Sequence, residues 1–308
     1  MNSFWDLFMP GTTFWQLTFQ GLALGAAYAL IALGFVIIYR SSEIFNFAHG
    51  EFLTIGAFSM TSMVGIGLPW PMALLAAMMI TGAVSAGVER AVVRPMIGRP
   101  VFVTIILTIF IGFLLRAAAI VIWGPKNRHQ ETPWKPLDAV TVSGVHMGYG
   151  DLILIGVTIV AMAAFFCLLK YTKLGVAMRA TSNDQEVSLA LGIPVGRIFG
   201  ASWFLAGMYA AIAGVFLSMF PNEVDGNIAF TALKAFPAII VGGLTSPVGT
   251  VIAGVLLGLT EMYSQAYLAP ELGSFGHNIH DVFPYVVMIL FLMVRPYGLF
   301  GHKEVERV

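Results

Sequence analysis

Apolar residues run through this chain in long blocks rather than in alternation. A block of about 20 is enough to cross a hydrocarbon core roughly 30 Å thick, and such blocks recur from end to end. They predict membrane spans at about 14–39, 43–66, 70–93, 101–123, 151–170, 199–220, 230–244, 248–268 and 283–295. The blocks at 230–244 and 248–268 are separated only by TSPV, which suits either two crossings or a pair of half-helices. The last block starts at Pro284, a residue at home in a first helical turn. The predicted fold class is all-α: a polytopic transmembrane helical bundle of about 8–10 spans, forming one domain over residues 1–308.

Two segments break the apolar pattern at length. Residues 124–150 form the largest loop on one side, rich in Pro, Gly and aromatic residues. Residues 171–198 form the largest on the other, and they carry helix signals of their own. Ser182 or Asn183 is placed to cap a short helix, with Asp184 and Glu186 in its first turn, where negative charge suits the dipole. Gly192-Ile193-Pro194 stops it. A short helix between Arg179 and Arg197 reads as a docking element on the membrane surface. Small residues mark close helix packing: Gly21/Gly25 and Gly254/Gly258 are GxxxG pairs, and Gly242-Gly243 is counted with them. The segments YALIA (Tyr28–Ala32) and YAAIA (Tyr209–Ala213) echo each other in helices expected to run oppositely. An inverted repeat has that form, although five apolar letters also arise from composition alone.

Composition agrees with the pattern. The chain has 308 residues, 58% hydrophobic and only 10% charged, against about 25% charged in a soluble domain. Net charge is zero, so no basic field points to nucleic acid. Cys167 is the only cysteine, which rules out an intrachain disulfide and argues against a thiolate metal site. The start, MNSFWDLFMPG, has neither the basic region nor the cleavage site of a signal peptide and reads as an interfacial lead-in. With the N-terminus outside, eleven Lys and Arg fall on the cytoplasmic side and three outside, which puts the C-terminus in the cytoplasm.

Most catalytic chemistry is missing from the motifs. There is no GxxxxGK[ST] phosphate loop, no HExxH, no GxSxG and no paired cysteine. The stretch HNIHD (His277 to Asp281) has i, i+3 histidines that a metal would accept, but beside Pro284 it reads as a polar loop. No metal, no cofactor and no enzyme activity are expected of this chain. An intramembrane enzyme would need a catalytic dyad.

The polar residues inside spans carry the remaining information, because such groups are costly in hydrocarbon. FNFAHGEF (Phe45 to Phe52) opens the second block. Ser41, Ser42 and Glu43 read as its helix N-terminus, so Asn46, His49 and Gly50 share one face at i, i+3, i+4 and Glu51 lies on the next. His49 is then about 10 Å in from the cytoplasmic end. Two roles fit: a hydrogen bond that pins helix two to a neighbour, or a constriction that switches partners as a gate opens. Arg116, in ILTIFIGFLLRAAAIVIWG, either snorkels to the interface or faces a polar translocation path. Lys234, Glu261 and Glu89 are nearer span ends and read as interfacial.

Three segments in order, NFAHGEF, TKLGVAMRATSNDQEVSLALGI and KAFPAIIVGGLTSPVGTVIAGVLLGLTE, resemble the branched-chain amino acid ABC-transporter permeases of the LivH type, as does the ending PYGLFGHKEVERV. The resemblance implies an importer subunit of a bacterial inner membrane. Its partners would be a second, LivM-type permease, two cytoplasmic ATPase subunits and an extracytoplasmic solute-binding protein. It makes 171–198 a cytoplasmic coupling loop, with Arg179, Asp184, Glu186 and Gly192 in the part that docks on the ATPase. Departures bear on the cargo: the lead-in YRSSEI is more polar than usual, LGVAMRA and GGLTSPVGT differ from the common forms, and Arg116 stands where a neutral polar residue is frequent. Relatives of this type also carry amides, urea and aromatic carboxylates. A stand-alone secondary transporter or channel is the reading from another class, and it predicts paired intramembrane carboxylates or broken helices.

Overall fold

The computed structural model describes residues 11–96, 99–135, 138–219, 221–273 and 279–300. They are almost wholly helical. Six helices, counting their irregular ends, are long and apolar enough to cross a membrane: Thr12–Ser42, Trp70–Met96, Val101–Trp123, Tyr149–Tyr171, Val195–Leu217 and Pro247–Glu271. In chain order the elements are α1 (Thr12–Ser42), α2 (His49–Gly65), α3 (Trp70–Val88), α4 (Val101–Trp123), β1 (Ala139–Val142), β2 (Val145–Gly148), α5 (Tyr149–Tyr171), α6 (Lys173–Asn183), α7 (Gln185–Ala190) and α8 (Val195–Leu217). There follow α9 (Ile228–Lys234), α10 (Phe236–Gly242), α11 (Pro247–Tyr263), α12 (Ala269–Glu271) and α13 (Ile279–Val294).

These residues fall into two compact units. The first takes α1 up to Ala32, the segment from Trp134 to Thr158, and everything from Lys234 onward; the second takes Leu33–Pro133 and Ile159–Leu233. In the first unit α1 and α11 meet through their glycines. A Cβ on Gly25 would run into the Val255 backbone, and one on Gly258 into Gly25 itself. Only the missing side chains let the two backbones approach, the usual way of packing helices where lipid gives no hydrophobic drive. α10 packs on α11, with Gly242 against Thr250, and Gly243 turns the chain between them at φ 98°. Ser246 caps α11 by accepting from Gly249 N, with Pro247 in the first turn. TSPV is therefore a helix-cap signal.

In the second unit α8 lies against α3 and α2. Gly207 faces Thr81 and Gly82, Gly214 faces Leu53, and Ser85 Oγ donates to Trp203 O at 2.7 Å. The order of elements recurs along the chain: a long helix (α1, α8), a short or broken one (α2, α9–α10), then a long helix ending in a π-helical turn. Those turns are Glu89–Val93 after α3 and Ser264–Leu268 after α11. YALIA and YAAIA fall in the first member of each series.

Several expectations are corrected. The block 230–244 is two short helices broken at Ala235. Pro284 lies inside α13, five residues after Ile279, because the helix already takes in the polar His280 and Asp281. The loop after α4 contains an antiparallel hairpin, Ala139–Val142 with Val145–Gly148, turning through Ser143 and Gly144 at positive φ. Short β segments leave no trace in a search for blocks of 20.

Candidate functional site

The largest correction falls on the opening of α2. α1 does not stop before Ser41 but runs through Ser42, and Glu43 reverses the chain at φ 58°. Residues 43–48 are non-helical, and α2 starts only at His49. Asn46 therefore does not share a helix face with His49 and Gly50. Its Oδ1 instead accepts from Ala48 N at 3.1 Å, while its carbonyl accepts from His49 N at 3.2 Å. This is the local side-chain-to-backbone turn that asparagine favours. It sets the first turn of α2.

A non-helical strand of backbone at membrane depth must find partners inside the protein. Thr108 on α4 supplies them. Its hydroxyl accepts from Phe47 N at 3.3 Å, and its one proton is shared between Ile105 O of its own helix at 2.9 Å and Phe45 O at 3.1 Å. Phe45 in turn packs on Tyr39 of α1, with ring centroids 4.7 Å apart. The segment thus runs back beside α1. His49 reaches Gly34, eight residues before the end of α1, or about 12 Å along its axis. A Cβ on Gly34 would come within 2.8 Å of the imidazole. The ring lies edge-on to Phe35 and Phe52, at centroid distances of 6.4 and 6.3 Å. Gly50 meets Ala229 of α9 so closely that a side chain has no room. His49 is brought beside α1 by non-helical chain rather than by a helix.

Glu51, in the first turn of α2, faces α4. Arg116 Nε lies 3.1 Å from Glu51 Oε1. The charges pair, yet Arg116 Nε is not aligned for a hydrogen bond, and Glu51 Oε2 has no hydrogen-bond partner among the described residues. Arg116 has protein partners besides Glu51. Its Nη2 donates to Gly226 O at 2.9 Å, and its guanidinium sits over Phe230, 4.5 Å from the ring centroid. The motif and the arginine, read separately in the sequence, form one site with the segment leading into α9.

Sequence reading missed Thr108, and the signal was present. Thr104, Thr108, Gly112 and Arg116 recur every four residues in an otherwise apolar helix, which puts them on one face. The first three are buried there.

The first unit holds a second charged cluster. Tyr28 Oη donates to Glu261 Oε2 at 2.6 Å, Lys234 Nζ lies 3.9 Å from Glu261 Oε1, and Lys234 also pairs with Asp281. His280 Nε2 is 3.4 Å from the same Asp281 oxygen. His277 lies outside the described residues, and among those described no group of His, Cys, Asp and Glu is placed to hold a metal. Glu89 and Glu261 are buried within the protein, at 1% and 4% exposed. Arg94 grips Glu89 with two hydrogen bonds, of 2.9 and 2.7 Å, and also donates to Gly196 O.

In the 171–198 loop the cap is Asp184, not Ser182 or Asn183, which end α6 instead. Asp184 Oδ1 accepts from Val187 N at 2.9 Å, and Glu186 is in the first turn of α7. Gly192, at φ 80°, ends that helix with Ile193 N bonded to Ser188 O. Arg179 turns inward and donates to Leu169 O at the end of α5, while Arg40 Nε donates to Ser182 Oγ at 3.0 Å. Four apolar side chains of the loop, Val176, Val187, Leu189 and Leu191, are more than half exposed, beside the exposed Lys173, Glu186 and Arg197.

A family model described as "Branched-chain amino acid transport system / permease component" matches residues 17–292. The chain belongs to this permease family. It is 31% identical to the high-affinity branched-chain amino acid transport system permease protein LivH of Escherichia coli K12, over 96% of this chain and 98% of that one. Against BraD of Pseudomonas aeruginosa the identity is 30%, covering 94% and 96%. Against a probable LivH of Methanocaldococcus jannaschii it is 25%, covering 91% and 90%. PsaBC of Streptococcus pneumoniae, solved in complex with a Fab, shares the fold alone, with a TM-score of 0.50 at 12% identity over 96% of this chain and 97% of that one. This permease is thus a multi-pass membrane subunit of an ATP-binding-cassette importer. It is not an enzyme; ATP hydrolysis belongs to its partners.

Proposed function

We propose that this permease moves a branched-chain or similar amino-acid-like solute into the cytoplasm. An extracytoplasmic binding protein delivers the cargo, two cytoplasmic ATPase subunits drive the cycle, and a second, LivM-type permease completes the membrane pathway. No cofactor resides in this chain. The C-terminus and the 171–198 loop are cytoplasmic, in keeping with the excess of Lys and Arg on that side.

The observation that carries this reading is the site at the start of α2. A charged pair and a non-helical backbone segment lie together among the helices of a membrane subunit, the backbone served by Thr108 and the pair imperfectly aligned, which is how transporters build the places where they move or bind. Asn46, His49, Gly50 and Glu51 with Arg116 form the gating contact. The outer face of α6–α7 is the ATPase dock. Its apolar residues make the contact, whereas Arg179 and Asp184 hold the loop in shape. Glu186 and Gly192 shape the two ends of α7.

Changing Leu189 and Leu191 together to Asp tests the dock. In the reconstituted importer, binding-protein-stimulated ATP hydrolysis and uptake should both fall at least tenfold while the permease pair still assembles. Unchanged stimulation in that variant would remove the dock from this face. A second cargo class, another small carboxylate or an amide, fits the altered residues around the signature segments. Calorimetry of the cognate binding protein against leucine, urea and benzoate separates them.

A further inference from the structure

Buried polar atoms without a hydrogen-bond partner gather along one side of α2. Among the described residues, Glu51 Oε2, Thr54 Oγ1 and Gln130 Nε2 are all in this state. Their residues are at most 8% exposed. Glu51, Thr54, Phe58 and Thr61 follow at i, i+3, i+7 and i+10, which places them on a single face of the helix. Thr61 Oγ1 donates to Gln130 Oε1 at 3.0 Å, and Trp123 Nε1 donates to Ser62 Oγ at 2.7 Å. One face of α2 therefore carries a seam of polar groups from Gln130 and Thr61, across Phe58 stacked on Trp123, to Thr54 and the Glu51–Arg116 pair.

Hydroxyls in a buried helix ordinarily turn back to the carbonyl four residues earlier. Thr61 and Ser62 do so, onto Ala57 O and Phe58 O. Thr54 does not. An arrangement that strands such atoms is destabilised by their lost hydration, so a state that gives them partners is favoured in return. The seam is closed here, with these three atoms shielded from water. It offers donors and acceptors together: the amide N–H of Gln130, the free oxygen of Glu51, and a hydroxyl able to do either. At its lower end stand one anion and one cation.

We propose that this seam is the solute's route through the subunit, and that the Glu51–Arg116 pair is where a zwitterionic amino acid exchanges its two charges for the protein's. This depends on the importer reading above and adds what the membrane step itself selects: a solute carrying both a carboxylate and an ammonium. Arg116 takes the carboxylate, whose two oxygens suit its planar fork. Glu51 takes the ammonium. The misaligned ion pair loses little when it parts, and each protein charge stays matched throughout. A carboxylic acid without the amine leaves Glu51 unmatched, and an amino amide leaves Arg116 unmatched.

The test uses the complete importer in proteoliposomes with leucine as the probe. In a Cys167→Ser background, Thr54→Cys should react with a membrane-impermeant cationic thiosulfonate during ATP turnover. Without the binding protein, leucine should slow that reaction several-fold, whereas 4-methylpentanoate and leucinamide at the same concentration should not. In the native background, Glu51→Gln should lower leucine uptake at least tenfold in complexes that assemble to the wild-type extent. Equal protection by all three probes overturns the proposal. So does wild-type uptake by Glu51→Gln, a measurement that stands even if the cysteine variant fails to assemble. If the wild-type complex takes up no amino acid at all, the importer reading falls too; if it takes up leucine and Glu51→Gln matches it, only the route falls.

Discussion

Glu261 in the first unit and Glu51 in the second are both buried carboxylates in helices at membrane depth, and each stands near a cation. Glu261 Oε2 accepts a 2.6 Å hydrogen bond from the Tyr28 hydroxyl, and Lys234 stands 3.9 Å from Oε1 as a nearby charge. Glu51 has one oxygen against Arg116 in poor alignment and the other without a hydrogen-bond partner among the described residues. A carboxylate held by a short buried hydrogen bond keeps one arrangement, because any other leaves its partner unpaired. A half-satisfied one gains by changing. Glu89, gripped at both oxygens by Arg94, sides with Glu261 although it lies in the second unit. The contrast is therefore between sites with different roles.

Four substitutions test that contrast, in descending order of effect. Glu261→Leu leaves the Tyr28 hydroxyl and Lys234 without their shared partner, and should cost about 3–5 kcal/mol, the range for one-sided loss of a buried pair. Thermal unfolding in detergent reads it, and a loss equal to that of Glu51→Gln would erase the distinction. Thr108→Val strands the Phe47 N–H and the Phe45 carbonyl at membrane depth and should cost about 2 kcal/mol. A smaller loss would mean that Thr108 does not hold the lead-in to α2. Glu51→Gln should cost no more than about 1 kcal/mol, because Arg116 keeps Gly226 O, Phe230 and some contact with solvent. Asp184→Ala should cost about 1 kcal/mol or less and act only on α7, as loss of a helix cap does. Faster hydrogen exchange confined to residues 185–190 is the expected sign.

Much of the fold was legible in the sequence because lipid imposes a simple rule. A crossing segment must be apolar over about 20 residues and satisfy its own backbone. The long spans α4, α5 and α8 obey that rule, and their bounds came out close. The rule fails where neighbouring protein takes over from lipid. The lead-in 43–48 is non-helical because Thr108 serves its backbone, and α9–α10 is broken at Ala235. Neither departure shows in hydropathy. The site was half legible. His49, Glu51 and Arg116 stood out as costly residues, but 65 positions separate Glu51 from Arg116, and no periodicity joins them.

The amino-acid sequence by itself determined that this is a helical membrane protein, which residues are too polar to be filler, and which family its signature segments resemble. Those properties depend on composition and local order, which need no neighbours. Only the tertiary structure decided that Thr108 holds a stretch of open backbone and that Glu51 meets Arg116 with one oxygen to spare. Each of these is a matter of which groups find partners across helices, and partner satisfaction is a property of packing, not of any one segment.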